Sequence, residues 1–371
     1  MSIKRVGVIG GGQLALMMAK SAEKLGVELV IQTPNKDDPA VTIAQSTIFA
    51  PINDAAATAT LATRCDVVTF ENEFVDLAAL APLAEQGVCF RPSLEVLSPL
   101  LDKYHQRCYL QQIGLPVPKF ATLENVSEPW QFPLVLKSRR HGYDGQGTFI
   151  VKDADTLHQL TNAGKKTSFL VEEFVPFVKE LAIIAARSPN GEIVTYPVVE
   201  TQQKNQVCHR VIAPADISTE LTNLIQEMAG NLLHNLQAVG IFGIELFLVG
   251  DRQVLINEIA PRTHNSGHFT LDACEVSQFE QHLRAVCDLP LGNTSLRSPA
   301  AVMINLLGYE ESENDYLVKR QQLAALPNAF VYWYDKKTSR LGRKLGHVTV
   351  LLDSNTDAEE VAQIIESIWY V

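Results

Sequence analysis

The stretch GIELFLVGDRQVLINEIAPR, Gly243 to Arg262, reads as two apolar strands flanking a short turn at Gly250-Asp251-Arg252. A two-residue loop of Asp251 and Arg252 pairs Gly250 with Gln253, and the same register sets Glu245 opposite Glu258. Directly opposed like charges destabilise a sheet. An otherwise apolar hairpin that carries them invites a compensating cation. An all-oxygen pair suits magnesium held jointly with phosphates, with Glu245 and Glu258 as metal ligands and Asn257 as a neutral oxygen ligand or nucleotide contact. A register slip of one residue would separate the acids.

Downstream, PRTHNSGHFT packs Arg262, His264 and His268 into one short segment. The two histidines have the spacing of a helical metal pair, but Pro261, Asn265, Ser266 and Gly267 oppose a helix. The segment is read as a loop of anion-binding donors, in which Arg262 and one histidine act on a charged substrate. Upstream, KSRRHGYDGQGTFIV places Gly142, Gly145 and Gly147 between two β-type runs, where backbone N–H groups can approach phosphate oxygens. Lys137 ends the preceding strand and can reach phosphates as a point charge. An ordinary glycine hairpin with a basic rim reads equally well. In SFLVEEFVPFVKE, the linker Glu172, Glu173, Phe174, Val175 can offer backbone groups to an adenine edge, with Glu180 accepting from ribose hydroxyls; a surface strand with solvated acids is the plainer alternative. Finally, WYDKKTSRLGRKLGH concentrates Lys336, Lys337, Arg340, Arg343 and Lys344, either as a solvated face or as a loop that closes on a phosphate.

These local signals sit in a chain of 371 residues, 46% hydrophobic and 20% charged, with a net charge of -11. That length predicts two or three domains, and the charge argues against general nucleic-acid or membrane binding. The six cysteines form no C-x-x-C pair, so they read as reduced, mostly packed thiols of a cytoplasmic protein. No signal peptide or membrane-spanning run is apparent.

The N-terminal VIGGGQLA, Val8 to Ala15, fits the dinucleotide pattern through Gly10, Gly12 and Ala15, between a strand over Arg5 to Ile9 and a helix over Gln13 to Gly26. A dinucleotide site also needs an acid at the end of the second strand. Here Val27 to Gln32 is followed by Thr33, Pro34 and Asn35, so a glycine turn opening a doubly wound domain is the better reading. Residues 1–99, with further strands at Asp66 to Phe70 and Gly87 to Phe90, form that α/β domain. Residues 100–296 open with a helix over Leu101 to Ile113, become an α+β region with antiparallel pairs, and include an amphipathic helix over Ile217 to Val239. Residues 297–371 make a small β-rich cap, read as a sheet of its own.

Taken in order, GGGQL, FENE, K…GYDGQG, VEEFV with Glu180, GIELF, NEIAPRTHNSGH, QFEQHLRA, VMINLLG and WYDK…GRKLGH resemble the 5-(carboxyamino)imidazole ribonucleotide synthases across nearly the whole chain. These are ATP-grasp carboxylating ligases of purine biosynthesis. The resemblance implies a pre-ATP-grasp domain, an ATP-grasp module whose small lobe closes over ATP, and a C-terminal cap. It also implies the reaction, in which ATP phosphorylates bicarbonate to carboxyphosphate and the amine of aminoimidazole ribonucleotide takes the carboxyl group. By position, Lys103, Lys137 and the loop Gly142, Tyr143, Asp144, Gly145, Gln146, Gly147 and Thr148 would contact ATP phosphates. Glu172 to Val175 would hold adenine, Glu180 ribose, and Glu245 with Glu258 magnesium, or manganese in its place. Tyr143, Asp144, Arg262, His264 and Lys336 match catalytic positions around bicarbonate and the imidazole. Gln13, Glu73, Lys336, Arg343 and Lys344 match ribotide contacts, so that GGGQL serves the ribotide and no dinucleotide is needed. The family also suggests a homodimer. Three departures stand out: Gln146 where Lys or Arg is usual, Gln203 in place of a histidine beside the nucleotide, and Leu16-Met17 where an arginine is common. A related ATP-grasp carboxylase of the biotin carboxylase kind would share the ATP and bicarbonate sites but carry a longer chain.

Overall fold

The computed structural model describes residues 4–123, 130–140, 142, 147–163 and 168–370. The chain opens with β1 (Lys4–Ile9), α1 (Gln13–Leu25), β2 (Val27–Thr33), β3 (Ser46–Phe49), α2 (Ala55–Ala62), β4 (Val67–Phe70) and α3 (Leu77–Glu85). The strands form a parallel sheet in the order β3-β2-β1-β4. Val6, Val8 and Ile9 of β1 are all fully buried, as a strand covered on both faces requires. Helix α1 ends where Gly26 takes a left-handed conformation, φ 64°, that closes its last turn. The run Gly87 to Phe90 does not form a strand: it opens with Gly87 at φ +94° and contributes the single bridge Val68↔Phe90.

Two helices, α4 (Leu94–Leu97) and α5 (Lys103–Gln112), lead into a four-stranded antiparallel sheet. Its strands are β5 (Phe120–Thr122), β6 (Leu134–Ser138), β7 (Thr148–Val151) and β8 (Phe169–Glu173), with α6 (Ala154–Ala163) between the last two, in the order β5-β8-β6-β7. Next come β9 (Lys179–Arg187), β10 (Ile193–Thr195), β11 (Val199–Lys204), β12 (Val207–Ala213), α7 (Thr219–Leu236), β13 (Gly240–Val249), β14 (Gln253–Ala260), α8 (Thr270–Ala273) and α9 (Gln278–Val286). The chain finishes with β15 (Ala300–Leu307), α10 (Leu317–Ala324), β16 (Ala329–Trp333), β17 (Lys344–Leu352) and α11 (Ala358–Tyr370).

The C-terminal strands do not make a sheet of their own. They extend the large one, whose order is β14-β13-β9-β11-β12-β15-β17-β16 with β10 on the side of β9, because β15 pairs antiparallel with β12 from Arg210↔Ile304 to Ala213↔Ala301. Helix α7 buries Leu221, Ile225, Met228, Leu232 and Leu236 against β9 and β13, the stripe its spacing predicts. Leu224, on the same spacing, stays exposed.

One core joins all three parts of the chain. Leu14, Met17 and Met18 of α1 pack with Phe279, Leu283 and Val286 of α9, and Tyr334 from the C-terminal part enters the same cluster. No helix among the described residues is long and apolar enough to cross a membrane. Because Phe279 is fully buried at this junction, Phe279→Ala is expected to cost about 3–5 kcal/mol of stability. Urea unfolding followed by tryptophan fluorescence checks this.

Candidate functional site

The hairpin of β13 and β14 carries the two facing acids, by a route the sequence did not show. The turn is one residue longer than expected: Val249 pairs with Gln253, leaving Gly250, Asp251 and Arg252 as the loop. That register alone would set Glu245 against Asn257. A β-bulge between Glu245 and Leu246 absorbs one residue of β14, and Glu245 faces Glu258 after all. Asn257 is the extra residue. It donates from Nδ2 to Glu245 Oε2 at 3.3 Å, and its Oδ1 accepts from Lys137 Nζ at 2.8 Å.

The repulsion is answered unequally. Burial and the neighbouring charge of Glu258 push the Glu245 carboxyl up to about 7. Burial also opposes charge on Glu258, but Lys103, together with Lys137 and His264, holds this carboxyl below its usual range. Lys103 forms an ion pair with Glu258, and His264 Nε2 lies 3.6 Å from Glu245 Oε1.

Behind the hairpin is a buried ionic group. Lys137 Nζ lies 2.7 Å from Glu172 Oε2, and Arg107 pairs with the other oxygen of Glu172 while donating to the Asn257 carbonyl at 2.6 Å. All three side chains are nearly inaccessible. Burial opposes the charge of Glu172, yet Arg107 and Lys137 hold its carboxyl down at about 2. The expectation of solvated acids therefore fails for Glu172 and stands for Glu173, which is exposed and accepts from the Lys119 amide at 2.8 Å. Arg107 and Gln106 escaped the sequence reading. Gln106 clamps the Ile259 backbone, accepting from its N–H at 3.0 Å and donating to its carbonyl at 3.1 Å. The signal was present, since Lys103, Gln106, Arg107 and Leu110 share one face of α5, and polar residues on a buried stripe need partners.

Lys137, Glu172, Glu245, Asn257, Glu258 and His264 line a cavity of about 980 Å³. One end holds Lys137, Gly142 and Thr148, with Glu172 to Val175 and Glu180 along the wall. Gln203, also in this wall, hydrogen-bonds to Glu180, whose carboxyl burial pushes up. Phe177 stacks on Phe247 with ring centroids 4.7 Å apart, which gives this end an apolar side. Gly147 takes φ +84° where a methyl would press on Ser138. Tyr143, Asp144, Gly145 and Gln146 lie outside the described residues. Lys103 lines a small adjoining niche with Glu258, Gly142 and Arg139.

The opposite end is built by Gln13, Glu73, Arg262, His264 and Lys344. Arg262 Nε lies 3.1 Å from Glu73 Oε2. The segment after Arg262 is a single 3-10 turn over Asn265–Gly267, as the loop reading required. Gln278, not picked out in the sequence, fixes it: its Oε1 accepts from the His264 amide at 2.9 Å and its Nε2 donates to the His264 carbonyl at 2.7 Å. His268 is buried beside Phe279 and His347, where desolvation holds it well below the usual histidine range. It is thus a neutral packing residue more than a cation. Two basic residues stay outside the cavity wall. Arg343 donates to the Thr338 carbonyl at 2.7 Å and hydroxyl at 2.6 Å, and Lys336 lies over the Tyr334 ring at 5.6 Å.

Residues 3–98 match the ribonucleotide synthetase preATP-grasp domain, 108–279 the ATP-grasp domain, and 301–361 the phosphoribosylaminoimidazole carboxylase C-terminal domain. The N5-carboxyaminoimidazole ribonucleotide synthase of Synechococcus elongatus is 52% identical over 99% of this chain and 96% of its own. The chain belongs to the N5-carboxyaminoimidazole ribonucleotide synthase family. Its fold agrees closely with the crystal structure of the Thermotoga maritima synthetase, with a TM-score of 0.89 and 38% identity over 99% of this chain and 98% of that one. It agrees as well with the Aspergillus clavatus synthase in complex with ADP and 5-aminoimidazole ribonucleotide, with a TM-score of 0.91 and 32% identity over 99% of each chain.

The raised Glu245 carboxyl gives a pH test. The folded protein holds a proton there that the unfolded chain loses above its ordinary value of 4.5, so stability falls as pH rises from about 4.5 to about 7. Glu245→Gln removes that loss. With a chelator present and no nucleotide, the variant is expected to match the wild type near pH 4.5 and to exceed it by about 2 kcal/mol at pH 8, a figure reduced for the partial exposure of the side chain. Urea denaturation at the two pH values measures it.

Proposed function

We propose that the cavity is the place where this ATP-grasp ligase carboxylates the amine of 5-aminoimidazole ribonucleotide, with ATP at the glycine-loop end and the ribotide at the Gln13 end. The observation that carries the reading is the opposition of Glu245 and Glu258 in the cavity wall, with Lys103 on Glu258, the His264 imidazole near Glu245 and Lys137 on the adjoining Asn257, from three separate elements.

The oxygen donors suit a divalent cation. Two carboxylates and one amide oxygen leave room in a six-ligand shell for phosphate oxygens and water, and among the described residues there is no cluster of three or more acidic, histidine or cysteine ligands that would hold a metal unaided. Glu245, Glu258 and Asn257 would hold magnesium, or manganese, which when bound with ATP neutralises phosphate charge. The chain's own residues do the rest. Lys137 stays anchored on Glu172 and presents its ammonium to the phosphates, and Lys103 passes from Glu258 to a phosphate oxygen as ATP enters. The backbone of Glu172 to Val175 receives the adenine edge, and Glu180 with Gln203 the ribose. Arg262 and His264 hold bicarbonate against the terminal phosphate and steady the carboxyphosphate until the ribotide amine attacks it, joined by Tyr143 and Asp144 of the glycine loop. Gln13, Glu73 and Lys344 hold the ribotide, and Arg343 and Lys336 reach it as their loop closes. Divided at 99/100 and 296/297, the chain draws the ATP end from its central part alone and the ribotide end from all three parts.

Phosphate release from ATP with bicarbonate, measured with and without aminoimidazole ribonucleotide, tests the reading. Release is expected to depend on bicarbonate and to rise sharply with the ribotide. Lys344→Ala and Arg343→Ala are each expected to raise the Michaelis constant for the ribotide about ten-fold while that for ATP moves much less, since each removes a charge-assisted phosphate contact.

A further inference from the structure

The glycine turn at the start of the chain is already filled, and by the protein itself. The N-terminus of α1 has Gly12 as its cap residue, with no side-chain cap and no acidic residue in its first turn, so its free N–H groups and the positive end of its dipole lack a local anion. Glu71, at the end of β4, supplies one from across the sheet. Burial pushes its carboxyl up, while the Arg262 charge and the amides of Gly12 and Leu14 favour its ionised form. A methyl on Gly10 would overlap one carboxylate oxygen and a methyl on Gly12 the other. Gly10 and Gly12 thus make a seat shaped to a carboxyl group. Gly11 is excluded from carrying a side chain for a different reason, the close approach of Thr33. Glu71 is only 9% exposed, and its backbone N–H binds the Ile9 carbonyl at 2.9 Å, tying the seat to β1. Arg262 feels the charge of both Glu71 and Glu73.

We infer that Glu71 is a positioning residue for the ribotide: its carboxylate occupies the anion seat at the N-terminus of α1, closes that seat to a ligand phosphate, and holds the Gly10–Gly12 turn and Arg262 in the arrangement that receives the sugar and imidazole. The consequence concerns where the substrate's charge goes. In a doubly wound domain the helix N-terminus is the natural phosphate site, but here it repels one. The ribotide must turn its phosphate away from the glycine turn, toward the cations that line the far side of its end of the cavity, of which Lys344 is the nearest to the wall.

This inference rests on the placement of the ribotide beside Gln13, and the test separates the two. Glu71→Ala empties the seat, and formate, a free carboxylate, can refill it. The variant is expected to raise the ribotide Michaelis constant by about ten-fold or more, to leave that for ATP within about two-fold, and to recover most of the ribotide affinity in tens of millimolar formate. Glu71→Gln, equal in size, keeps a fold that the alanine variant could lose; it is expected to show the same ribotide defect without formate recovery, because its amide still fills the seat. A ribotide constant unchanged in Glu71→Gln, or equal losses for ribotide and ATP that formate does not reverse, would overturn the assignment. Gln13→Ala serves as the control. If it weakens the ribotide while the Glu71 variants do not, the ribotide placement stands and the role of Glu71 falls; if it too changes nothing, the placement itself is wrong.

Discussion

Glu245 and Glu258 meet across one rung of a hairpin, and the charges around them are arranged to answer that repulsion. A sheet does not hold two carboxylates face to face without help. In this protein the help is divided: Lys103 pairs with Glu258, His264 stands near Glu245, Asn257 donates to Glu245, and one carboxyl is driven toward neutrality while the other stays ionised. Each of these partners arrives from a different part of the central module. The pair therefore sets where α5, β14 and the loop after Arg262 must lie.

The arrangement also explains why the substrates suit the cavity. Lys137 and Arg107 are buried with a single carboxylate between them, Glu172, so the deep end carries a net positive charge in a low-dielectric setting where an incoming phosphate is strongly favoured. Burial, with the charges of Arg107 and Lys103, lowers the Lys137 ammonium from its usual range, and Glu172 opposes that fall. At the other end, Arg262 is held between Glu73 and Glu71. The two cation groups are thus locked in place before any ligand arrives, which reduces the reorganisation that binding would otherwise require.

Much of this was legible in the sequence, and the exceptions are instructive. The facing acids were found from the alternation of GIELFLV and QVLINEIA with a turn between. The turn is one residue longer than the pattern suggests, and the β-bulge that restores the pairing has no sequence signature of its own: β13 keeps an unbroken register with β9 on its other edge while β14 takes up the extra residue. Helix α7 and the glycine cap of α1 followed from periodicity and a terminal glycine. Arg107 and Glu71 did not, because each acts through a partner more than fifty residues away, and the motif FENE that contains Glu71 does not tell that this side chain meets Gly10 and Gly12. The continuity of the C-terminal strands with the large sheet was missed for a related reason, since the pairing of β15 with β12 is a long-range choice that strand patterns do not encode. Lys336 and Arg343 stand out by charge density and by the family resemblance, and in the structure they lie against Tyr334 and Thr338, outside the cavity wall.

The central claim is that the hairpin carboxylates hold a divalent cation together with nucleotide phosphates. Electron paramagnetic resonance of manganese, titrated into the protein with ADP present and again without it, tests this most directly. The account predicts tight manganese binding only when the nucleotide is present, weakened by about a hundred-fold or more in Glu258→Gln with the protein still folded. Manganese bound equally well by the wild type and by Glu258→Gln would contradict it.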